Sequence, residues 1–213
     1  MTDSRRVLFL SASTLEERYY LRQFPDQQPV WGESEFRIND YDGAAAADLC
    51  VVYDDLREPV DLSRVSGTRT LFTAEPPGVY SYEPAYLAQF DAVITVDPQL
   101  RHPRAIYDHQ CLPWMVGWKF FSEDNEQCLG YRDFAQDRSE ERLDAISMIA
   151  SKKAITKGHV KRYEFALALK KHFKDRLELF GVGIREVEDK LEAMAPYKYT
   201  LSIENSSLPY YWT

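Results

Sequence analysis

Glu75 stands in the run Thr73-Ala74-Glu75-Pro76-Pro77-Gly78, directly behind a short apolar segment. A carboxylate carried on a stiff proline turn at a strand end is held where it can act as a general base, although the same position also suits a helix cap or a solvent-facing turn residue. A second group lies in Ser151-Lys152-Lys153-Ala154-Ile155-Thr156-Lys157-Gly158-His159-Val160-Lys161-Arg162, which follows a strand-like run and opens a helical pattern. Backbone N–H groups at a helix N-terminus, joined by the cationic side chains of this block, suit phosphate or diphosphate. Such a basic run also serves as an ordinary solvated face. A third group, Glu204-Asn205-Ser206, follows an alternating apolar stretch and precedes Tyr210-Tyr211-Trp212. There Asn205 either makes an Asx turn or, beside the tyrosines, reads a sugar or phosphate hydroxyl.

Other chemistries find no support. The chain has no G-x-x-x-x-G-K-[ST] loop, no G-x-G-x-x-G fingerprint and no serine in a G-x-S-x-G elbow. His102, His109, His159 and His172 are scattered without metal-ligand spacing, so no metal is expected. The 3 cysteines, Cys50, Cys111 and Cys128, form no C-x-x-C pair, which argues against a disulfide framework or zinc site and for a reducing compartment. With 26 Lys and Arg against 34 Asp and Glu, a net charge of -8 disfavours a nucleic-acid surface. The apolar run Val7 to Leu10 is too short for a signal segment or a membrane span. A cytoplasmic protein is expected, at most peripheral to the inner face of a membrane. The aromatic residues, 14% of the chain, supply either stacking platforms or core.

The 213 residues, 45% of them hydrophobic, suffice for one large domain or two small ones. Short apolar runs at Val7 to Leu10, Leu49 to Tyr53, Thr70 to Thr73 and Ala92 to Val96 predict buried strands. Helical patterns fall between them at Leu15 to Phe24, where Thr14 and Glu17 form a capping-box pattern, and at Pro84 to Phe90. Ala44 to Ala47 reads as part of a helix before the Leu49 strand. Arg101 to Gln127 is irregular, with Pro113, Trp114 and Trp118 the candidate packed positions, and Gln27 to Asp42 reads as loop. A second start follows: strand Leu143 to Ala150, a helix His159 to Phe173 with apolar Phe165, Leu167 and Leu169, strand Leu177 to Phe180, helix Val187 to Met194 and strand Tyr197 to Ile203. Strands alternating with helices predict parallel sheets. The expectation is an α/β protein with two Rossmann-like lobes, 1–130 and 131–213, with ligands at the carboxyl ends of the strands. A chain ending at Thr213 with no helix over its last strand reads as a second lobe cut short.

Several of these segments together resemble a known family. Lys152-Lys153 through Thr156, Gly158-His159 and Arg162, then Phe180-Gly181, Glu188-Asp189-Lys190 and Ala195-Pro196-Tyr197-Lys198-Tyr199, and lastly Ile203-Glu204-Asn205-Ser206 with Tyr211-Trp212-Thr213, resemble the donor-binding domain of family 10 glycosyltransferases, the α-1,3/1,4-fucosyltransferases. The resemblance runs from about Ile146 to the end, and Thr73-Ala74-Glu75-Pro76-Pro77 with Tyr86 to Asp91 is similar to the acceptor lobe of bacterial members. It implies a GT-B fold and inverting transfer of L-fucose from GDP-fucose to a glycan hydroxyl, on an N-acetylglucosamine-containing or surface-polysaccharide acceptor. It implies Glu75 as catalytic base, and Arg162, Asn205, Tyr211, Lys153 and His159 on the donor side, with no metal or other cofactor. In the family a Glu-Lys pair that contacts the donor follows the position of Thr213, so the resemblance also implies a fragment of low activity. Two alternatives stay open: a GT-B transferase for another sugar nucleotide, and a catalytically silent glycan-binding remnant. Acceptor linkage and oligomeric state are not read from the sequence.

Overall fold

The computed structural model describes residues 4–111, 115–119, 128–136 and 141–212. The chain divides into two compact units, Met1–Leu112 with Leu208–Trp212, and Pro113–Ser207. Each is built on its own sheet, one of seven strands and one of three.

The first unit contains β1 (Arg5–Ser11), α1 (Glu17–Leu21), β2 (Val30–Trp31), β3 (Ser34–Ile38), β4 (Leu49–Tyr53), β5 (Thr68–Phe72), α2 (Pro84–Leu87), β6 (Ala92–Thr95) and β7 (Ala105–Tyr107). The sheet order is β2-β3-β1-β4-β5-β6-β7, parallel throughout except for β2 against β3. Register places Leu10, Val52, Leu71 and Val93 in one row across four strands, and all are fully buried. Their side chains share one face because residues two apart in a strand do, so Leu8 and Cys50 extend the same core. The strand order reverses at β1, between β3 and β4, the kind of place where doubly wound sheets open a crevice at their carboxyl ends.

The amino ends of these strands are braced by charge. Asp48, just before β4, takes the Arg6 N–H at 2.8 Å and its guanidinium at 2.9 Å, and Asp91, just before β6, does the same for Arg69 at 2.8 and 2.7 Å.

The second unit holds α3 (Tyr131–Ala135), β8 (Leu143–Ile149), α4 (Lys157–Phe173), β9 (Leu177–Phe180), α5 (Lys190–Met194) and β10 (Tyr197–Leu201). Its sheet is parallel in the order β10-β8-β9. The β8 residues Ile146 and Met148 pack with Ala166, Leu169 and Phe173 of α4, while Ala145 and Ile149 pack with Ala193 of α5. Alternate side chains of one strand point to opposite faces, so the two helices cover the two sides of the sheet.

Both mostly parallel sheets agree with the expected α/β class, and the bounds of β4 and β9 match the predicted runs. Several local expectations are corrected. The capping box of Thr14 and Glu17 does not form: Ser11 and Ser13 Oγ accept from the N–H groups of Ser13 and Leu15 at 3.0 and 3.2 Å, holding the chain in turns, and α1 starts only at Glu17. The loop expected over Gln27 to Asp42 contains β2 and β3, and the irregular stretch after Arg101 contains β7. Phe165 and Leu167 are 51% and 46% exposed, because α4 turns Ala166, Leu169 and Phe173 to the sheet instead. The last strand stops at Leu201, before Ile203. Trp118 is buried as expected, whereas Pro113 and Trp114 lie outside the described residues.

The Arg69 hydrogen bonds hold the Asp91 carboxyl down at about 2, against an ordinary 3.8. A carboxylate whose affinity for protons is depressed by folding stabilises the fold above its unfolded pKa and loses that effect as pH falls through the folded value. Asp91→Asn is therefore predicted to lower stability by about 1 kcal/mol at pH 7. In thermal melts the difference from the parent should shrink between about pH 4 and pH 2.

Candidate functional site

In the first unit the functional groups gather where β4, β5 and β6 end. Glu75 lies three residues past β5, ahead of the fully buried Pro76. The turn is anchored behind it: Thr73 N–H donates to Ile94 C=O at 3.0 Å, and its hydroxyl donates to Thr95 Oγ1 at 2.8 Å in the core. Glu75 is half-buried, and burial first, then the neighbouring Asp54 charge, push its carboxyl above the usual carboxylate range. A cavity of about 210 Å³ opens beside it, with Tyr80, Tyr82, Asp97 and Arg101 in the wall. The Tyr82 hydroxyl donates to Asp54 Oδ1, and the Tyr80 ring meets the Tyr82 ring edge-on at 4.9 Å. A carboxylate with raised proton affinity on the wall of an aromatic cavity is suited to taking a proton from a bound hydroxyl.

In the second unit the corresponding place is the amino end of α4. Thr156 caps the helix, its Oγ1 accepting from His159 N–H at 3.4 Å, while His159 Nδ1 accepts from Thr156 N–H at 3.3 Å and lies 2.8 Å from Thr156 Oγ1. Burial, then Arg162 and Lys153, lower the His159 pKa, which favours the neutral imidazole. Gly158 comes against Asn205 so closely that a Cβ on it would lie 1.6 Å from the Asn205 carbonyl oxygen. This contact sets the segment after β10 directly on the first turn of α4. Asn205 Oδ1 is itself buried with no hydrogen-bond partner.

Lys190, at the start of α5, completes the group. Burial and then Arg162 lower its pKa, Lys153 adds to the effect, and Glu204 opposes it. The residue as a whole is exposed, which weakens the loss of hydration and leaves repulsion among the cations as the firmer cause. Its helix is fixed by Asp189, whose Oδ1 accepts from Leu191 N–H and from Gly117 N–H, each at 2.9 Å. Lys153, Arg162 and Lys190 thus bear on one another around a neutral His159, with Glu204 as the nearby countercharge. An anion placed among them relieves the repulsion and meets the positive end of a 17-residue helix.

Of the residues singled out in the sequence, Lys153, His159, Arg162 and Asn205 therefore lie together in the second unit. Glu75 belongs to the first unit, as does Tyr211, which is 5% exposed in the segment Leu208–Trp212. In that segment the Trp212 carbonyl accepts from Nε2 of the fully buried Gln110 at 3.0 Å. Asp54, Tyr82 and Lys190 were not singled out as site residues. Asp54 directly follows a strand and Lys190 follows a helix-capping Asp, but neither pattern alone distinguishes a functional charge from a surface one.

Among the described residues, no group of His, Cys, Asp or Glu side chains is arranged to hold a metal ion, and no helix is long and apolar enough to cross a membrane. No family model matches the chain, and no curated protein or solved structure matches it at a significant level. Function is therefore inferred from the residues and their geometry.

Gly158→Ala forces a side chain into the Asn205 backbone and is predicted to destabilise by about 1–3 kcal/mol, as overpacking does. Nothing lies within 4 Å of a Cβ at Gly78, so Gly78→Ala is the control and should melt within a degree or so of the parent. Thermal melting compares the two, with a drop of several degrees expected for Gly158→Ala.

Proposed function

We propose that the protein is an inverting glycosyltransferase of the GT-B type that moves L-fucose from GDP-fucose to a glycan hydroxyl. The observation that carries this reading is the cationic group of Lys153, Arg162 and Lys190 at the amino end of α4. Glu75, a half-buried carboxylate in a cavity wall, supports it from the first unit. The ordered motifs around these residues, from Lys152 to Ser206, resemble those of the fucosyltransferase family and suggest the donor.

On this reading Glu75 accepts the proton of the acceptor hydroxyl as its oxygen attacks the anomeric carbon from the face opposite the leaving group. The anomeric C–O bond to the diphosphate breaks, and its electron pair leaves with GDP. Lys153, Arg162 and Lys190 are assigned to the diphosphate, whose developing charge fixed cations stabilise. Asn205, with an unpartnered Oδ1 at the same helix end, is placed to accept from a donor hydroxyl. On this reading the protein's own cations stabilise the departing diphosphate, and no resident metal takes part. The acceptor is a glycan of the N-acetylglucosamine-containing or surface-polysaccharide class. The work is assigned to the cytoplasmic side, with peripheral contact at the inner face of a membrane.

Turnover of GDP-fucose, followed as GDP release with a panel of glycan acceptors, tests the proposal. Glu75→Gln is expected to lower kcat by about 100-fold or more with little change in donor affinity. Arg162→Ala is expected to weaken GDP binding by about tenfold or more, the loss of a charge-assisted hydrogen bond. Equal turnover of GDP-fucose by the parent and by Glu75→Gln would count against the assignment of the base.

A further inference from the structure

We propose that Asp54 and Tyr82 are positioning residues for Glu75: the Tyr82 hydroxyl grips the Asp54 carboxylate and holds its charge against the Glu75 carboxyl. This rests on the reading of Glu75 as the base. Asp54 follows β4 and continues its pairing with β5 one step beyond the strand, its N–H donating to the Phe72 carbonyl at 2.8 Å. That bond brings it beside the chain that leads through Thr73 to Glu75. Its φ is +68°, a left-handed conformation uncommon for a residue with a side chain, and Asp is among the few residue types that adopt it readily.

The partner is held as firmly. The Tyr82 ring is edge-on to Tyr80 at 4.9 Å and stacked on Tyr86 at 6.4 Å, which fixes where its hydroxyl points. Tyr86 in turn donates to the Asp54 carbonyl at 3.4 Å. Burial and the bond to Asp54 keep the Tyr82 phenol protonated, while the backbone N–H groups of Ala74 and Glu75 act on the same oxygen in the opposite sense. One hydroxyl thus ties the end of β4 to the segment before α2.

The charged and titratable groups around Glu75 come from three directions. Asp54 and Tyr53 come from the end of β4, Tyr80 and Tyr82 from the segment before α2, and Asp97 and Arg101 from the segment after β6. Arg101 spends an Nη1 hydrogen on the Pro98 carbonyl at 3.1 Å. Asp54 is the charge that raises the Glu75 carboxyl beyond the effect of burial. A carboxylate pressed by a second negative charge binds a proton more readily, which favours taking one from the attacking hydroxyl. The proton passes from that hydroxyl to a Glu75 oxygen as the new glycosidic bond forms, and Asp54 and Tyr82 exchange none.

The test is the titration of the Glu75 side-chain carboxyl by carbon NMR, its resonance assigned by its loss in Glu75→Gln. The variants are Asp54→Asn, which tolerates the left-handed backbone, and Tyr82→Phe, which keeps the ring packing. In the parent the midpoint should lie above the ordinary glutamate value. It should fall in Asp54→Asn without reaching that value, because burial remains. It should fall in Tyr82→Phe as well, because an unanchored Asp54 turns to water. In turnover assays the acid limb of the kcat profile should move down with the midpoint in Asp54→Asn, and Tyr82→Phe should lose about tenfold in kcat at unchanged acceptor KM. A Glu75 midpoint that is the same in the parent and both variants overturns the inference. Shifted midpoints without any fucose transfer would sustain the action of the pair on Glu75 and would instead refute the transferase reading.

Discussion

Parallel pairing is the constraint on which the rest depends. Strands that run the same way must be joined by crossovers, so within each sheet the carboxyl ends gather along a single edge with the segments that leave them. In the first unit the buried row of Leu10, Val52, Leu71 and Val93 locks the register of four strands. A slip by one residue would turn each of these side chains to the other face. With that register set, Asp54 and Glu75 emerge from adjacent strands, and the Tyr82 hydroxyl then fixes where the Asp54 carboxylate points. The amino ends carry the opposite character: there Asp48 and Asp91 clasp Arg6 and Arg69 in bidentate pairs that brace the sheet.

The second unit uses the same geometry with charge of the opposite sign. Helices α4 and α5 both begin at the edge where β8 and β9 end, so Arg162 and Lys190 come within reach of Lys153. Gathering cations at a helix N-terminus opposes the helix dipole, and the nearby Glu204 carboxylate offsets part of that cost. Two features keep the arrangement in place. Burial and the neighbouring cations lower the His159 pKa, which spares the cluster another charge, and Gly158 lets the Asn205 backbone pack on the helix where any side chain would intrude. Such an arrangement is suited to an anionic ligand.

Much of this was legible in the sequence because it rests on short-range patterns. The uninterrupted apolar runs of β4 and β9 read directly as buried parallel strands, and the basic block ahead of α4 reads as a helix start with cations. The elements that were missed depend on distant partners. Strand β3, Ser-Glu-Phe-Arg-Ile, is too polar to read as a buried strand and forms because β1 supplies a parallel edge for it. Strand β7 has three residues and exists only as an addition to β6. Phe165 and Leu167 suggested an apolar face of α4, yet Ala166 makes the contact with the sheet, since close approach of helix and sheet favours the smaller residue. Asp54 and Tyr82 acquire meaning only from neighbours that are remote in the chain, and no local pattern marks them, while Lys190 lies in the Glu188-Asp189-Lys190 segment of the family resemblance but gains its role from Lys153 and Arg162.

The most direct test of the central claim, that the amino end of α4 with Lys153, Arg162 and Lys190 forms a diphosphate site, is calorimetric titration of the protein with GDP and with guanosine at two salt concentrations. The account predicts that GDP binds, that guanosine binds far more weakly, that GDP affinity falls as salt rises, and that Arg162→Ala narrows the difference between the two. Equal affinity for GDP and guanosine, or GDP binding unaffected by both salt and Arg162→Ala, would contradict it.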